Sequence, residues 1–201
     1  MKKLFVVLIF ATAFQSCCIF FPHIPCEKTL NISAGPGEAI LTGDKSQKPI
    51  LGGLISIEPT VYGLNTNASI SAGLGVSFQG SRYIERRYSG KLKMSYINMP
   101  LLFNYESNHG FYGEIGIQPG FLLSARDRIV NRPSHSFRNY VKKIELAVPV
   151  GAGYWLTDDI SLGIRTTYGL TNMQNWGGDV KKHNILITGL VRYRINWENQ
   201  E

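Results

Sequence analysis

The sequence predicts an all-β protein, an eight-stranded antiparallel up-and-down transmembrane β-barrel. Three observations predict this fold. Apolar and polar residues alternate through long segments, the connections between these segments alternate between short and long, and aromatic residues end the apolar face of the last segment. A period of two indicates a strand whose two faces meet different surroundings. Strands that cross a bilayer need about 9–11 residues, whereas strands of soluble domains average about 5–6.

The clearest alternation is in the last segment, residues 184–197. Apolar or small residues occupy every second position as far as Tyr193 and Trp197, and the positions between them include Arg192 and Arg194. Tyrosine and tryptophan are enriched where a membrane strand meets the lipid–water interface. We therefore predict that one face of this strand contacts lipid and that the other faces the barrel lumen.

The same alternation recurs in seven earlier segments, of which the first is the shortest. Four of the seven contain a proline, namely Pro59, Pro100, Pro119 and Pro149. Because proline cannot donate a ladder hydrogen bond, we expect Pro59, Pro100 and Pro119 to mark bulges. The seven predicted strands are residues 29–35, 53–61, 68–78, 95–105, 111–125, 144–156 and 160–170.

The connections between the predicted strands are sorted by length. This is the plan of outer-membrane barrels, in which long loops lie outside the cell and short turns lie in the periplasm. The long connections are 35–49, 80–90, 127–139 and 172–183, and the short ones are 65–67, 107–110 and 157–159.

The composition agrees with a barrel. A hydrophobic content of 44% and a mean hydropathy of −0.05 exclude a helical membrane protein. They fit a barrel, because half of the positions in each strand face the lumen. The 21 glycines and the 11% of aromatic residues favour strands over helices.

The N-terminus resembles a secretory signal peptide. Two lysines precede an apolar run that ends in Ala11-Thr12-Ala13, a small-x-small cleavage site. We expect the protein to be exported to the bacterial outer membrane. The predicted organisation is a signal peptide at 1–13, a linker at 14–28, the barrel at 29–197 and a tail at 198–201.

All three cysteines lie in the predicted linker. Cys26 could form a disulfide with Cys17 or Cys18 in an oxidising periplasm. Alternatively, Cys17 could be lipidated, although the residues before it match the lipoprotein pattern poorly. Our preferred interpretation is that they are linker cysteines without a function. Ligand spacing is absent, so we predict no metal site and no cofactor.

Charged residues of both signs fall on the predicted inward faces. Because an isolated buried charge is costly, we expect them to form ion pairs. The interior of an eight-stranded barrel is just wide enough for side chains to fill it. We therefore predict a solid polar core, and a proton or solute path through these charges is the alternative. The predicted lumen ion-pair network is Glu58, Glu114, Glu145, Arg165, Arg192 and Arg194.

The net charge of +7 lies largely in the predicted long loops. For an exported barrel, we expect the anionic partner to be lipopolysaccharide phosphate and not nucleic acid. The bilayer is the other expected partner. The basic loop residues are Lys45, Lys48, Arg82, Arg86, Arg87, Arg128, Arg132, Arg138, Lys142, Lys143, Lys181 and Lys182.

No P-loop, HExxH, nucleophile elbow or CxxC pair is present, and we predict that the protein is not an enzyme. Two alternatives differ from this prediction. Ser134-His135-Ser136 could belong to a hydrolase that acts on lipid A. A soluble lipocalin-type barrel would carry its charged residues outside. Here, Arg165 and Arg192 share their phase with Glu114, opposite an almost uncharged face, which argues against a lipocalin.

Five segments carry a resemblance to a known family, namely Val76-Ser77-Phe78-Gln79-Gly80-Ser81, Tyr96-Ile97-Asn98-Met99-Pro100-Leu101-Leu102, Tyr112-Gly113-Glu114-Ile115-Gly116, Gly120-Phe121-Leu122-Leu123 and Tyr168-Gly169-Leu170-Thr171-Asn172. Together they resemble the PorT-like outer-membrane β-barrel family of Bacteroidetes. The resemblance covers residues 29–197 and implies an eight-stranded outer-membrane barrel. We predict a non-enzymatic barrel with a structural role, or with a role as an accessory to an envelope or protein-secretion complex, whose proteins would be its partners.

Overall fold

The computed structural model describes residues 29–43, 46–84, 89–129, 134–173 and 182–196. The predicted signal peptide, the linker with its three cysteines, Trp197 and the predicted tail lie outside the described residues. Among the described residues, no helix is long and apolar enough to cross a membrane.

The described residues form twelve β-strands and one short 3-10 helix, joined by turns and irregular segments. The helix, Arg138–Tyr140, lies between the ninth and tenth strands. The strands are β1 Thr29–Leu41, β2 Gln47–Lys48, β3 Ile50–Gly63, β4 Ala68–Ala72, β5 Leu74–Ile84, β6 Ser89–Asn98, β7 Leu101–Glu106, β8 Phe111–Ile129, β9 His135–Ser136, β10 Ile144–Trp155, β11 Ile160–Gly169 and β12 Asn184–Asn196.

All twelve strands belong to one antiparallel sheet, and the sheet closes on itself. The first strand pairs with the last, from Thr29 opposite Asn196 to Leu41 opposite Asn184. The closed ring runs β1-β3-β5-β6-β8-β10-β11-β12 and back to β1. At one end of the barrel, β4 and β7 complete the wall between β3 and β8. The all-β antiparallel prediction is therefore confirmed, with a ring through eight strands.

The predicted count of eight strands is not confirmed, because the described sheet contains twelve. Two predicted strands are interrupted, one at Gly73 and the other at Met99 and Pro100. The two interruptions lie side by side, where the Gly73 amide donates to the Pro100 carbonyl over 2.9 Å. The two interruptions account for two of the additional strands. The other two are β2 and β9, two-residue strands within predicted loops.

The prolines differ in their effect on the sheet. Pro100 separates β6 from β7, as expected for a residue without an amide hydrogen. A register shift lies just after Pro59, between Thr60 and Tyr62. Pro119, however, keeps a regular partner in Leu146, so the predicted bulge is not found at that position.

Several strands extend further than the sequence predicts. β1 continues to Leu41, where the prediction ended at residue 35, and β6 begins at Ser89, where the prediction began at residue 95. Much of the predicted loops 35–49 and 80–90 is therefore strand. These extensions carry polar and charged outward residues such as Lys91 and Arg128, so they lack the apolar alternation used for the prediction.

The two ends of the barrel are different. The tight connections 64–67, 107–110 and 156–159 lie at one end, together with the start of β1 and the finish of β12. We call this the turn end, and we call the opposite end, which carries the connections from β8 to β10 and from β11 to β12, the loop end. In outer-membrane barrels, the turn end is periplasmic and the loop end is extracellular.

Outside the extensions at the loop end, the outward face of the strands is largely apolar. Large apolar side chains are exposed around the ring, for example Ile115, Ile164 and Val191, each more than half exposed. Charged residues alternate with them but point inward, as on β12, where Arg192 is buried between Val191 and Tyr193. The predicted phase of the later strands is therefore confirmed.

The lumen is filled in two layers. Toward the loop end, buried apolar side chains contact one another, including residues from the connections. Toward the turn end, the filling is polar and charged. The apolar layer consists of Leu41, Met94, Tyr96, Leu122, Ala125, Val141 and Met173, with a second group of Ala39, Leu54, Leu186 and Leu190.

Candidate functional site: a buried ion cluster in the lumen

Four charged side chains meet inside the barrel. Glu58 of β3, Glu114 of β8, Arg165 of β11 and Arg192 of β12 are each no more than 4% exposed. The alternation of each strand turns these residues inward, and closure of the ring brings the strands within reach of one another. We call these four residues the ion cluster.

Arg165 is the centre of the ion cluster because it binds both carboxylates. Its Nη1 and Nη2 atoms donate to Oε1 and Oε2 of Glu58 over 2.7 and 3.1 Å. Its Nε and Nη2 atoms donate to Oε1 and Oε2 of Glu114 over 2.5 and 3.0 Å. Both contacts are bidentate, the strong geometry for a guanidinium and a carboxylate.

Arg192 balances the remaining negative charge. Its Nη2 atom lies 2.5 Å from Oε2 of Glu114 and 3.9 Å from Oε2 of Glu58. Its Nε atom donates to the Ser33 hydroxyl over 3.1 Å, and its guanidinium carbon lies 4.6 Å from the centre of the Tyr112 ring. Two arginines and two glutamates make the cluster neutral, so the desolvation cost of each charge is offset by a partner.

Neutral polar side chains support the cluster. The Ser56 hydroxyl donates to Oε1 of Glu58 over 2.8 Å. Further toward the loop end, the amides of Asn98 and Gln79 both donate to the Ser77 hydroxyl over 2.8 and 2.9 Å. The hydrogen bonding fixes side chains across several strands, so the lumen is an ordered network.

The structure places the other two residues of the predicted network elsewhere. Arg194 lies nearer the turn end, where it forms an ion pair with Glu106 and stacks over Trp155 at 3.7 Å. Glu145 lies nearer the loop end and accepts a 2.7 Å hydrogen bond from Asn184 Nδ2. No described cation lies within ion-pair distance of Glu145.

Sequence reasoning missed Glu106 and did not connect Ser33 or Tyr112 with the arginines. The predicted strand 95–105 ended one residue before Glu106, whereas β7 includes it. Extending the alternation of Asn104 by one more step would have placed Glu106 on the inward face. The contact between Ser33 and Arg192 depends on the pairing of the first and last strands.

Little free space remains around the ion cluster. A cavity of about 10 Å³ lies beside Arg165, which is no larger than the space one water needs. A cavity of about 390 Å³ opens at the turn end and reaches inward to Arg192 and Arg194. The turn-end mouth is therefore open, and the ion cluster closes the lumen above it.

The alternative hydrolase residues lie in the connection between β8 and β10. His135 is in β9, opposite Asp127, and the stretch Ser134-His135-Ser136 is exposed. No hydrogen bond joins His135 to a serine or carboxylate in the described part of the chain, and the Asp127 carboxylate accepts from the Tyr83 hydroxyl. No group of three metal-binding side chains is present among the described residues.

A family model described as the outer membrane protein beta-barrel domain matches residues 29–175. That match covers more than half of the chain, and the closed antiparallel ring with its apolar outer face agrees with it. The chain belongs to the outer membrane protein beta-barrel domain family. The predicted location in the bacterial outer membrane is thereby confirmed.

Solved outer-membrane barrels are similar to this family member, and one of them, Neisserial surface protein A, has the same fold. Neisserial surface protein A matches with a TM-score of 0.56 and 14% identity, over 83% of this chain and 99% of that one. Ail of Yersinia pestis matches with a TM-score of 0.47 and 19% identity, over 84% and 99%. The outer membrane enzyme PagL matches with a TM-score of 0.42 and 11% identity, over 83% and 99%. No curated protein matches the sequence.

Membership of this family gives the outward apolar face its physical role. Lipid chains cover the exposed isoleucine, leucine, valine and phenylalanine side chains that water would otherwise meet. The ion cluster is shielded from the same lipid by the barrel wall. An arginine that faced lipid at mid-depth would cost about 2–4 kcal/mol, so the inward placement of Arg165 and Arg192 is required for stability.

Proposed function

We propose that this protein is a non-enzymatic, PorT-like barrel with a closed lumen, which serves as an accessory to an envelope or protein-secretion complex. The observation that carries the proposal is the neutral ion cluster, which fills the lumen between the turn-end mouth and the apolar layer. The PorT-like assignment is supported by the sequence segments given above. The net charge of +7 supports lipopolysaccharide phosphate as a further partner.

The ion cluster opposes transport through the lumen. A passing solute would have to separate Arg165 from two carboxylates that each hold it through two hydrogen bonds. Breaking a buried ion pair costs about 3–5 kcal/mol for each partner removed. Because the intact ion cluster blocks the lumen, it supports a scaffold role for the barrel in the membrane and not the role of a channel.

The exposed position of His135 supports the absence of catalysis. A triad needs a base that is hydrogen-bonded to its nucleophile and oriented by a third group. His135 has neither contact with a described side chain, and Asp127, its partner in the strand pair, accepts a hydrogen bond from the Tyr83 hydroxyl.

The proposal is tested by purifying the protein from native outer membranes in mild detergent. We expect envelope or secretion proteins to co-purify in fixed ratio. We also expect the same preparation, reconstituted in a planar bilayer, to show no large steady conductance. We expect both results because the closed barrel would bind its partner proteins and would not let solutes cross the membrane.

The control is a variant in which all four residues of the ion cluster are replaced by alanine, with folding checked by heat-modifiable gel mobility. If it folds, this variant should be less stable than the unaltered protein but should still show no large steady conductance, because the apolar layer continues to fill the lumen. A large steady conductance from the unaltered protein, or purification without any companion protein, would overturn the proposal.

A further inference from the structure

Basic side chains form a row on the outward face of the sheet at the loop end. The strand pairing places Lys48 opposite Arg82, Arg82 opposite Lys91, and Lys91 opposite Arg128. These four residues come from four neighbouring strands, β2, β5, β6 and β8. The row is visible only when the strands are assembled, because its members are far apart in the sequence.

A second basic pair lies just below this row. Lys93 is opposite Arg126 on β6 and β8, two residues closer to the turn end. All six side chains are exposed. We call the six residues the basic ladder: Lys48, Arg82, Lys91, Lys93, Arg126 and Arg128.

The basic ladder has no counter-charge within the described residues. None of its members forms an ion pair with a described carboxylate. The acid nearest in sequence, Asp127, pairs with Leu92 in the sheet and is bound by the Tyr83 hydroxyl. Like charges directly opposite each other destabilise a sheet. The arrangement is therefore unfavourable in the free protein and becomes favourable when an anion bridges the cations.

The position of the ladder determines which anion can reach it. On the same strands, the outward residues closer to the turn end are apolar and exposed, namely Phe78, Ile97 and Phe121. The ladder therefore begins where the lipid-facing belt ends on the extracellular side. The headgroups of the outer leaflet lie at this level.

The dimensions of the ladder suit more than one phosphate group. Neighbouring strands lie about 4.8 Å apart, so the four-strand row spans about 14 Å, and the second pair lies about 7 Å below it. Arginine binds phosphate through two parallel hydrogen bonds, and lysine adds a mobile point charge. Each row pairs both kinds of side chain.

We propose that the basic ladder is a binding site for the phosphate groups of a glycolipid in the outer leaflet, such as lipopolysaccharide. This inference deepens the proposed partnership with lipopolysaccharide and rests on it. It assigns the contact to the outward face of β2, β5, β6 and β8, away from the lumen and beside β9, whose Ser136 is opposite Arg126.

Binding to lipopolysaccharide tests the assignment with two variants of equal charge. The ladder variant is Lys91→Gln/Lys93→Gln/Arg128→Gln. The control is Arg138→Gln/Lys142→Gln/Lys143→Gln, which removes three exposed positive charges from the loop before β10. We expect the ladder variant to bind at least about tenfold more weakly, since one charge-assisted hydrogen bond is worth about a factor of ten. The control should bind nearly as the unaltered protein does.

Two further measurements test whether binding requires phosphate and whether the ladder cations repel one another. The unaltered protein should bind dephosphorylated lipopolysaccharide as weakly as the ladder variant binds the intact form. In neutral detergent, the ladder variant should unfold at a higher denaturant concentration than the unaltered protein, because repulsion between opposed cations is relieved. Heat-modifiable gel mobility shows in every case whether the barrel is folded.

The outcomes separate this inference from the proposed function. Equal loss of binding in the two variants would leave lipopolysaccharide as a partner but overturn the ladder as its site. If the unaltered protein does not bind lipopolysaccharide, or binds the dephosphorylated form as tightly as the intact form, both the site and the partner would be overturned. Tighter ladder-dependent binding of a soluble sulfated polysaccharide would also contradict a glycolipid ligand.

Discussion

Replacing Arg165 with methionine will lower the free energy of unfolding of the barrel by about 3–5 kcal/mol, the cost of leaving a buried charge without its partner. Arg165 supplies four hydrogen bonds to Glu58 and Glu114. Without it, two buried carboxylates share Arg192, which lies 3.9 Å from the nearest oxygen of Glu58. The measurement is the urea midpoint of the heat-modifiable gel shift in detergent or vesicles.

Two companion variants show whether charge is the cause. Arg194→Met removes a less buried pair with Glu106 and should cost about 1 kcal/mol or less. Arg165→Met/Glu114→Gln restores a neutral cluster and should recover part of the lost stability. Equal effects of Arg165→Met and Arg194→Met, or no recovery in the double variant, would contradict the assigned role of the ion cluster.

Replacing Gly35 with alanine will prevent stable closure of the ring. A Cβ atom at Gly35 would overlap the Gly189 carbonyl oxygen and lie 2.8 Å from the Gly189 carbonyl carbon. Both atoms belong to the backbone of β12, the strand that pairs with β1 to close the sheet. Because backbone cannot rotate away as a side chain can, we expect a loss of at least about 3 kcal/mol, the upper end for overpacking. The folded, fast-migrating gel band should be reduced or absent.

The matched control lies on the opposite strand. A Cβ atom at Gly189 would meet no atom within 4 Å, because this position faces outward into the space that lipid fills. Gly189→Ala should therefore fold as the unaltered protein does. If Gly35→Ala gives a normal folded band, or if both variants fail equally, the close approach of β1 and β12 at this point is wrong.

The strand phase could be predicted from the sequence because it is a local property. Alternation alone assigns Ile187 to lipid and Leu186 to the lumen, since one residue of slippage would exchange the two faces. The same property placed Glu58, Glu114, Arg165 and Arg192 inward. The lengths of the connections then predicted which of them are turns and which are loops, without any knowledge of strand pairing.

The pairing of the charges could not be predicted, because it depends on strands that are distant in the sequence. Arg165 and Glu58 are 107 residues apart, and Arg192 and Ser33 are 159 apart. Whether they meet depends on the tilt and register of the closed ring. The alternation predicts that Glu145 and Arg194 face inward like the ion cluster. Their positions along the barrel axis differ, however, so Glu145 contacts Asn184 and Arg194 contacts Glu106.

The extended strands escaped prediction for a different reason. Beyond the membrane, the outward residues of β5, β6 and β8 are largely polar, and the inward ones include Leu92, Met94 and Ala125, so the alternation is the reverse of the lipid-facing pattern. The basic ladder lies in this region. Lys48, Arg82 and Arg128 were predicted to lie in loops, and the six members become a continuous surface only through the register of β2, β5, β6 and β8.

The most direct test of the central claim is nuclear magnetic resonance of the protein in lipid nanodiscs, with cross peaks measured between lipid acyl chains and side-chain methyl groups of β12. Ile187 and Val191 are 49% and 53% exposed, whereas their neighbours Leu186 and Leu190 are 1% and 2% exposed. We predict strong cross peaks from acyl chains to Ile187 and Val191, and none to Leu186 and Leu190. Cross peaks to Leu186 and Leu190 would contradict a barrel with a lipid-facing apolar surface and a filled lumen.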